Sequence, residues 1–268
     1  MTPEEPLLRG EAEAVLDDLR TSTGFLTRLP ADWMGEPAPG VPDFRRAARV
    51  FPLVGALVGA AGGAVLLLAI WLNLPPLLAA TLGVLATVAF TGALHEDGLA
   101  DTTDGFGGGE TAERRLEIMD DSRIGTFGVI AVVFSILLRV AALASLIALG
   151  PFRAALALVA AEAVSRAAMV RFWESLPAAK LRGLGSDTGP PDHQATVIAL
   201  VLGFVIALGL VWPALGFWPA VLAILLAAGA TYMLGRLSYV AIGGRTGDTL
   251  GACQQVAVLA FLVGAAAA

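Results

Sequence analysis

Charge is scarce in this 268-residue chain: Asp, Glu, Lys and Arg make up 15% of it, against about 25% in ordinary soluble domains. With 57% hydrophobic residues and a mean hydropathy of +0.77, a soluble globule is excluded. Cysteine is almost absent. Cys253 stands alone, which excludes an internal disulfide and a thiolate metal site, and it reads as a small residue in an apolar segment. A basic surface is lacking too. The 17 Lys and Arg stand against 23 Asp and Glu, for a net charge of -6, so nothing is there to neutralise a nucleic-acid backbone, and no nucleic-acid partner is expected. The 31 glycines and 15 prolines follow no collagen-like or low-complexity period. They sit inside apolar runs, where neighbouring helices re-satisfy the backbone groups that they free. The opening MTPEEPLLRGEAEAV is acidic and has neither the basic start nor the apolar stretch of a cleavable signal, so insertion is expected through internal segments.

Long apolar runs are what the chain has in abundance. They fall near 50–72, 76–94, 128–149, 152–170, 195–213, 217–235 and 249–267. The fold class expected is all-α: a polytopic membrane helix bundle of about seven spanning helices. Asn73-Leu74-Pro75-Pro76, Gly150-Pro151 and Trp212-Pro213 are short and nearly uncharged, so each predicts a tight hairpin on one side of the membrane. The opposite side collects Arg28, Arg45, Arg46, Arg49, Arg114, Arg115, Arg123, Arg171, Lys180, Arg182, Arg236 and Arg245, with Arg153 the exception at a turn. The positive-inside rule puts that side, with the amino terminus and the long loops, in the cytoplasm. The expected location is the cell inner membrane, with lipid bilayer as the surrounding partner. The oligomeric state is left open.

Residues 1–48 form a separate unit in this reading, an amphipathic helix and linker ahead of a transmembrane catalytic domain at 49–268. Leu8, Ala12, Val15, Leu16, Leu19 and Leu26 recur at helical spacing among Glu11, Glu13, Asp17, Asp18 and Arg20. Such a helix either lies on the membrane or packs on the cytoplasmic loops. Pro37, Pro39, Gly40 and Pro42 make the linker. No internal repeat emerges, so an inverted-repeat transporter is not supported.

The densest chemistry lies in residues 92–128, GALHEDGLADTTDGFGGGETAERRLEIMDDSRIGTFG. Asp97, Asp101 and Asp104 stand at i, i+4 and i+7, on one face of a helix continued from the second span. No Lys or Arg occurs between Gly92 and Gly109, so the mutual repulsion of these carboxylates has no local counter-ion. A cation is the remedy, and magnesium suits it, because it takes carboxylate oxygens and completes its shell from water and substrate phosphates. The three aspartates are the expected metal ligands, and with His95 the expected catalytic group. On an ideal helix His95 points away from them. It serves as a general base, orients one, or makes a structural hydrogen bond.

Gly107, Gly108 and Gly109 are expected in a turn whose amides approach an anion. Asp121, Ser122 and Arg123 form a second polar knot, with Arg123 suited to a phosphate and Asp121 either a further ligand or an ion-pair partner. Gly243-Gly244, Arg245 and Asp248 repeat that combination before the last span. Gly107, Gly108, Gly109, Asp121, Ser122, Arg123, Arg245 and Asp248 are therefore the expected substrate-binding set. The loop with Lys180, Arg182, Gly183, Gly185, Ser186, Asp187 and His193 either closes over the site or only joins helices. Arg139, Glu162 and Arg166 are expected to face the bundle interior.

The runs GALHEDGLADTTDGFGGG, IMDDSRIGTFG and TGDTLGA resemble the cobalamin synthase, or adenosylcobinamide-GDP ribazoletransferase, family, as do GFLTRLP at 24–30, FPLVGALVG at 51–59 and Gly183-Leu184-Gly185. The resemblance spans most of the chain. It implies a magnesium-dependent inner-membrane enzyme that joins adenosylcobinamide-GDP to α-ribazole or its 5'-phosphate and releases GMP. One departure is visible: Gln254-Gln255 stand where family members often carry a glutamate. Two other readings remain open at this stage. A CDP-alcohol phosphotransferase also carries aspartates one turn apart, but Asp97-Gly98-Leu99-Ala100 runs into Asp101 where that pattern has arginine. An ion transporter would line a path with Arg139, Glu162 and Arg166.

Overall fold

The computed structural model describes residues 5–30, 43–180 and 189–267. The proline linker, Arg182, the Gly183–Gly185 run, Ser186 and Asp187, and the side chain of Leu8, lie outside the described residues. The described chain is built from helices: α1 (Glu5–Leu26), α2 (Phe44–Ala47), α3 (Phe51–Trp71), α4 (Pro76–Thr91), α5 (Leu94–Gly108), α6 (Ala112–Met119), α7 (Thr126–Leu149), α8 (Pro151–Ser175), α9 (His193–Leu215), α10 (Phe217–Ile242) and α11 (Gly247–Ala266). Prolines in the first turn open α3, α4 and α8, where the missing N–H costs no helical bond.

Among the described residues, five segments are long and apolar enough to cross a bilayer: Phe44–Trp71, α7, α9, α10 and α11. The bent pair α4 and α5 makes a sixth if the two count as one span. The all-α membrane bundle is therefore as expected, while the count falls short of seven. The segment that accounts for the difference is α8, whose 25 residues rise about 37 Å but carry Arg153, Glu162, Arg166 and Arg171. It packs against α3, α7, α9, α10 and α11. Sheathed by neighbours instead of lipid, it tolerates charge that a lipid-facing helix does not. Its fit against α3 is backbone to backbone: a Cβ on Gly59 would meet the Val159 Cα at 2.6 Å, and one on Gly55 would strike the Glu162 carbonyl. The outer faces carry Leu85, Phe134, Leu137, Val201, Phe204 and Leu225, all exposed, the surface expected against lipid tails and not against water.

Two boundaries depart from expectation. The third hairpin turns at Gly216 (φ +107°), and Pro213 lies inside α9. More consequential is the junction of α4 and α5, where Gly92 (φ +64°) and Ala93 (φ +58°) both adopt the left-handed region. The chain turns by 89° there, so the aspartate helix is not a continuation of the membrane span. The Arg28 side chain packs over this corner, where a Cβ on Gly92 would meet its Cγ at 2.7 Å, and the Arg28 N–H donates to the Phe90 carbonyl (2.8 Å).

The amino-terminal helix docks on the protein. Asp18, Ser22 and Leu26 share one face of α1. The Arg46 and Arg49 Nε atoms donate to Asp18 at 2.8 and 2.6 Å, and the Ser22 hydroxyl donates to the Ala47 carbonyl (3.0 Å). Leu26 is buried in a cluster with Phe51, Trp173 and Leu250. Val15 and Leu16, part of the apolar stripe, are exposed.

Candidate active site

Two glycines set the site. A Cβ on Gly98 would lie 2.7 Å from the Asp248 carbonyl and 3.1 Å from the Gly251 Cα, so α5 and α11 touch through their main chains. That contact brings HEDGLAD and TGDTLGA, 150 residues apart, into one place. His95, Asp97 and Asp248 line a single cavity of about 180 Å³ beneath α1 and α8. Asp101, one turn after Asp97 and partly exposed, lies within electrostatic reach of Asp97, Asp248 and Asp104, and the Lys180 ammonium opposes them. Asp248 was expected with substrate and Asp97 and Asp101 with metal; the structure sets them in one acidic patch.

Asp104 is turned elsewhere. Its oxygens accept the N–H groups of Gly125 (2.7 Å) and Gly128 (2.9 Å), so it caps the start of α7, where a negative charge is favoured by the helix dipole. Among the described residues, no three His, Cys, Asp or Glu side chains are grouped to hold a metal ion. The expected trio of ligands therefore does not converge: Asp97 and Asp101 stay together, and Asp104 serves the neighbouring helix. The glycine turn also departs from expectation. Gly107 and Gly108 lie in the last turn of α5, and the N–H of the capping Gly109 donates to the Gly105 carbonyl (3.1 Å). Amides inside a helix are turned to its own carbonyls. The glycines instead permit close packing: Cβ atoms at 107 and 109 would meet the Phe127 ring at 2.8 Å and the Arg115 Cγ at 2.5 Å.

Asp121 and Arg123 pair with each other. The Arg123 Nε and Nη2 donate to the two carboxylate oxygens at 3.0 and 2.7 Å. These bonds hold the Asp121 carboxyl down to about 2 and push the guanidinium above its ordinary value. Ser122, between them, is exposed. Arg245 is likewise engaged: its Nε donates to the carbonyls of Trp173 (2.8 Å) and Leu176 (3.1 Å) at the end of α8, and its guanidinium lies 5.8 Å from the Trp173 ring centre. A cation there complements the helix C-terminus. The Arg245 N–H also donates to the Pro177 carbonyl (2.9 Å), and the Arg245 carbonyl accepts the Ala179 N–H (2.8 Å). This short parallel bridge ties the loop after α8 to the loop before α11 and sets Lys180 near the acidic patch, with its Nζ donating to Asp120 (2.5 Å).

Deeper in the bundle runs a polar seam that the sequence reading only half found. Arg139, Glu162 and Arg166 are interior, as expected, and each is nearly fully buried. Their partners were missed. Arg139 pairs with Glu96 (3.1 Å), which also accepts from the Gln255 amide (3.0 Å). Gln255 accepts from Ser135 (3.0 Å) and donates to Gln254 (2.8 Å); Gln254 donates to Glu162 (3.2 Å) and Ser165 (3.1 Å), and Glu162 pairs with Arg166. Gln254 and Gln255 thus join two buried ion pairs across α5, α7, α8 and α11. An uncompensated Arg139 in an apolar helix was the signal that an acid had to face it.

A lipid-facing helix bundle with an acidic, glycine-fitted pocket where α5 meets α11 defines a polytopic membrane protein with a polar cavity inside its bundle. Residues 18–266 match the cobalamin-5-phosphate synthase family, and the chain belongs to it. It is 49% identical over 251 residues to the adenosylcobinamide-GDP ribazoletransferase of Azorhizobium caulinodans, covering 93% of this chain and 95% of that protein. The protein of the same name from Brucella anthropi is 44% identical over 257 residues, covering 95% and 98%. No solved structure matches the chain.

Proposed function

We propose that this chain joins adenosylcobinamide-GDP to α-ribazole or its 5'-phosphate, releasing GMP, on the cytoplasmic side of the inner membrane. The apposition of Asp97 and Asp248 across the Gly98–Gly251 contact carries the reading, because it assembles one acidic pocket from the two motifs that carry the family resemblance. A ribose hydroxyl of the acceptor attacks the phosphorus next to cobinamide. The new O–P bond forms as the bond to GMP breaks, and the hydroxyl proton passes to His95 or to one of the aspartates at the cavity. The sidedness rests on Arg28, Arg45, Arg46 and Arg49, ahead of α3, and on Arg114, Arg115 and Arg123, between α5 and α7.

Magnesium belongs to the same reading. Asp97 and Asp101, one turn apart, with Asp248 close by, offer the hard oxygens that it takes. With one or two carboxylates, its remaining ligands come from water and substrate phosphates, which suits a patch where three protein ligands do not converge. When bound it neutralises charge on the phosphoryl oxygens. Arg139, Glu162 and Arg166, ion-paired in the bundle core, leave the transport reading without its path.

The test is purified protein in vesicles supplied with adenosylcobinamide-GDP, α-ribazole and magnesium. GMP release that requires both substrates and stops with chelator is expected. GMP release indifferent to α-ribazole, or ion flux without nucleotide, overturns the proposal.

A further inference from the structure

Between α8, α9 and α10 lies a second hollow, of about 840 Å³, that shares no lining residue with the acidic pocket. Its floor is built from side chains too small to fill it: Ala167 and Ala168 on α8, Gly203 on α9, Ala227 and Gly235 on α10. A Cβ on Gly235 would come no closer than 3.8 Å to the Phe172 ring, an ordinary contact, so the space there is open. Val201, Phe204 and Tyr232 at the rim are exposed, which makes the hollow a groove on the face turned to lipid. Polarity runs along it. Val164, Phe204 and Ile224 line one end, and Arg171, Ser175, Arg236 and Tyr239 the other, where α8 and α10 finish. From Val164 to Leu176 the chain rises about 18 Å, close to the hydrocarbon depth of one leaflet, half of a core about 30 Å thick.

The charge at the polar end is unbalanced. Arg171 and Arg236 are both exposed. The Arg171 Nη1 donates to Glu174 (3.1 Å), whose other oxygen faces the His193 Nδ1 (2.8 Å), and the Arg236 guanidinium has no ion-pair partner among the described residues. Two guanidiniums thus stand against one carboxylate at the mouth of an apolar groove. We propose that the groove holds an anionic phospholipid: one acyl chain lies over Ala167, Ala168, Ala227 and Gly235, and the phosphate meets Arg171 and Arg236. The chain supplies the dispersion contacts that the small residues leave unmade. Arginine takes phosphate oxygens through paired N–H groups, and a tyrosine such as Tyr239 is favoured at headgroup level. A second copy of this chain fits less well, because a two-fold contact through this face would set the arginines of both copies together, like charge against like. A zwitterionic lipid brings its own ammonium to the two cations and gains less from them.

The experiment is a competition on the full chain in detergent, read by native mass spectrometry, between phosphatidylglycerol and phosphatidylcholine with the same acyl chains. One phosphatidylglycerol is expected to stay bound, preferred by about 25-fold, or about fivefold for each arginine. Arg236→Gln is expected to cut that preference about fivefold, and Arg171→Gln combined with it to abolish the preference. Gly235→Leu, which fills the groove, is expected to weaken both lipids. Arg153→Gln, at the far end of α8 and outside the groove, is expected to change nothing. Equal binding of the two lipids by the wild type, an unchanged preference in Arg236→Gln, or the same loss in Arg153→Gln overturns the proposal. So does a lipid-free wild-type dimer that Gly235→Leu turns into a monomer, which gives the groove to a second copy. The wild-type competition decides alone should a variant fail to fold.

Discussion

Glu96 and Asp97 are adjacent carboxylates on one helix, and their surroundings give them opposite work. Glu96 turns into the bundle, where Arg139 and Gln255 hold it. Asp97 faces the cavity, beside Asp248 and His95. A paired, dry carboxylate fixes the position of α5; its neighbour, one residue on, is left with room for a ligand. The polar seam and the acidic patch thus meet on the same helix, one residue apart.

Substitutions should separate them. Glu96→Ala strands the Arg139 charge in the core, and removing one partner of such a pair costs about 3 to 5 kcal/mol; thermal unfolding in detergent is expected to show a large loss of stability, with activity lost alongside. Asp97→Asn is expected to lower GMP release by about 100-fold or more while leaving the melting temperature near wild type. A comparable loss of stability would place Asp97 with the seam. Asp104→Ala should sit between them, costing about 1 to 2 kcal/mol through the lost cap on α7 and lowering turnover less than Asp97→Asn. If it abolishes turnover with no loss of stability, Asp104 works with the acidic patch after all. The smallest effect is expected from Arg123→Ala. The Asp121 carboxyl is depressed to about 2, so the pair is intact at neutral pH and is lost only as pH falls toward that value. Its exposure to solvent screens it. Unfolding curves for Arg123→Ala and wild type should coincide near neutral pH, and a clear shift would assign this loop a structural role.

The helical spacing of Asp97 and Asp101 was legible in the sequence because α5 is regular from Leu94 onward, and periodicity needs nothing more. The turn of 89° ahead of it was not, since an alanine in the left-handed region at 93 leaves no compositional mark. Nor was the fate of Asp104, which is decided by two amides more than twenty residues later. Gly98 leaves as little mark, a single glycine between acids, although its missing side chain is what lets α11 reach the site. The buried Arg139 and Glu162–Arg166 were visible as charges in apolar runs; their common link through Gln254 and Gln255 is a tertiary fact that no local pattern encodes.

The seam has a consequence for how the protein is made. Arg139, Glu162 and Arg166 emerge from the ribosome well before Gln254 and Gln255, and each unpaired charge in hydrocarbon costs about 2.5 to 3.5 kcal/mol on insertion scales. Arg139 cannot settle in lipid without Glu96, and a chain stopped before α11 would keep both ion pairs but leave Glu96 and Glu162 without the amide hydrogen bonds of Gln255 and Gln254. The final helix is therefore the clasp of assembly, completing the interior at the same moment that it delivers Asp248 to the pocket.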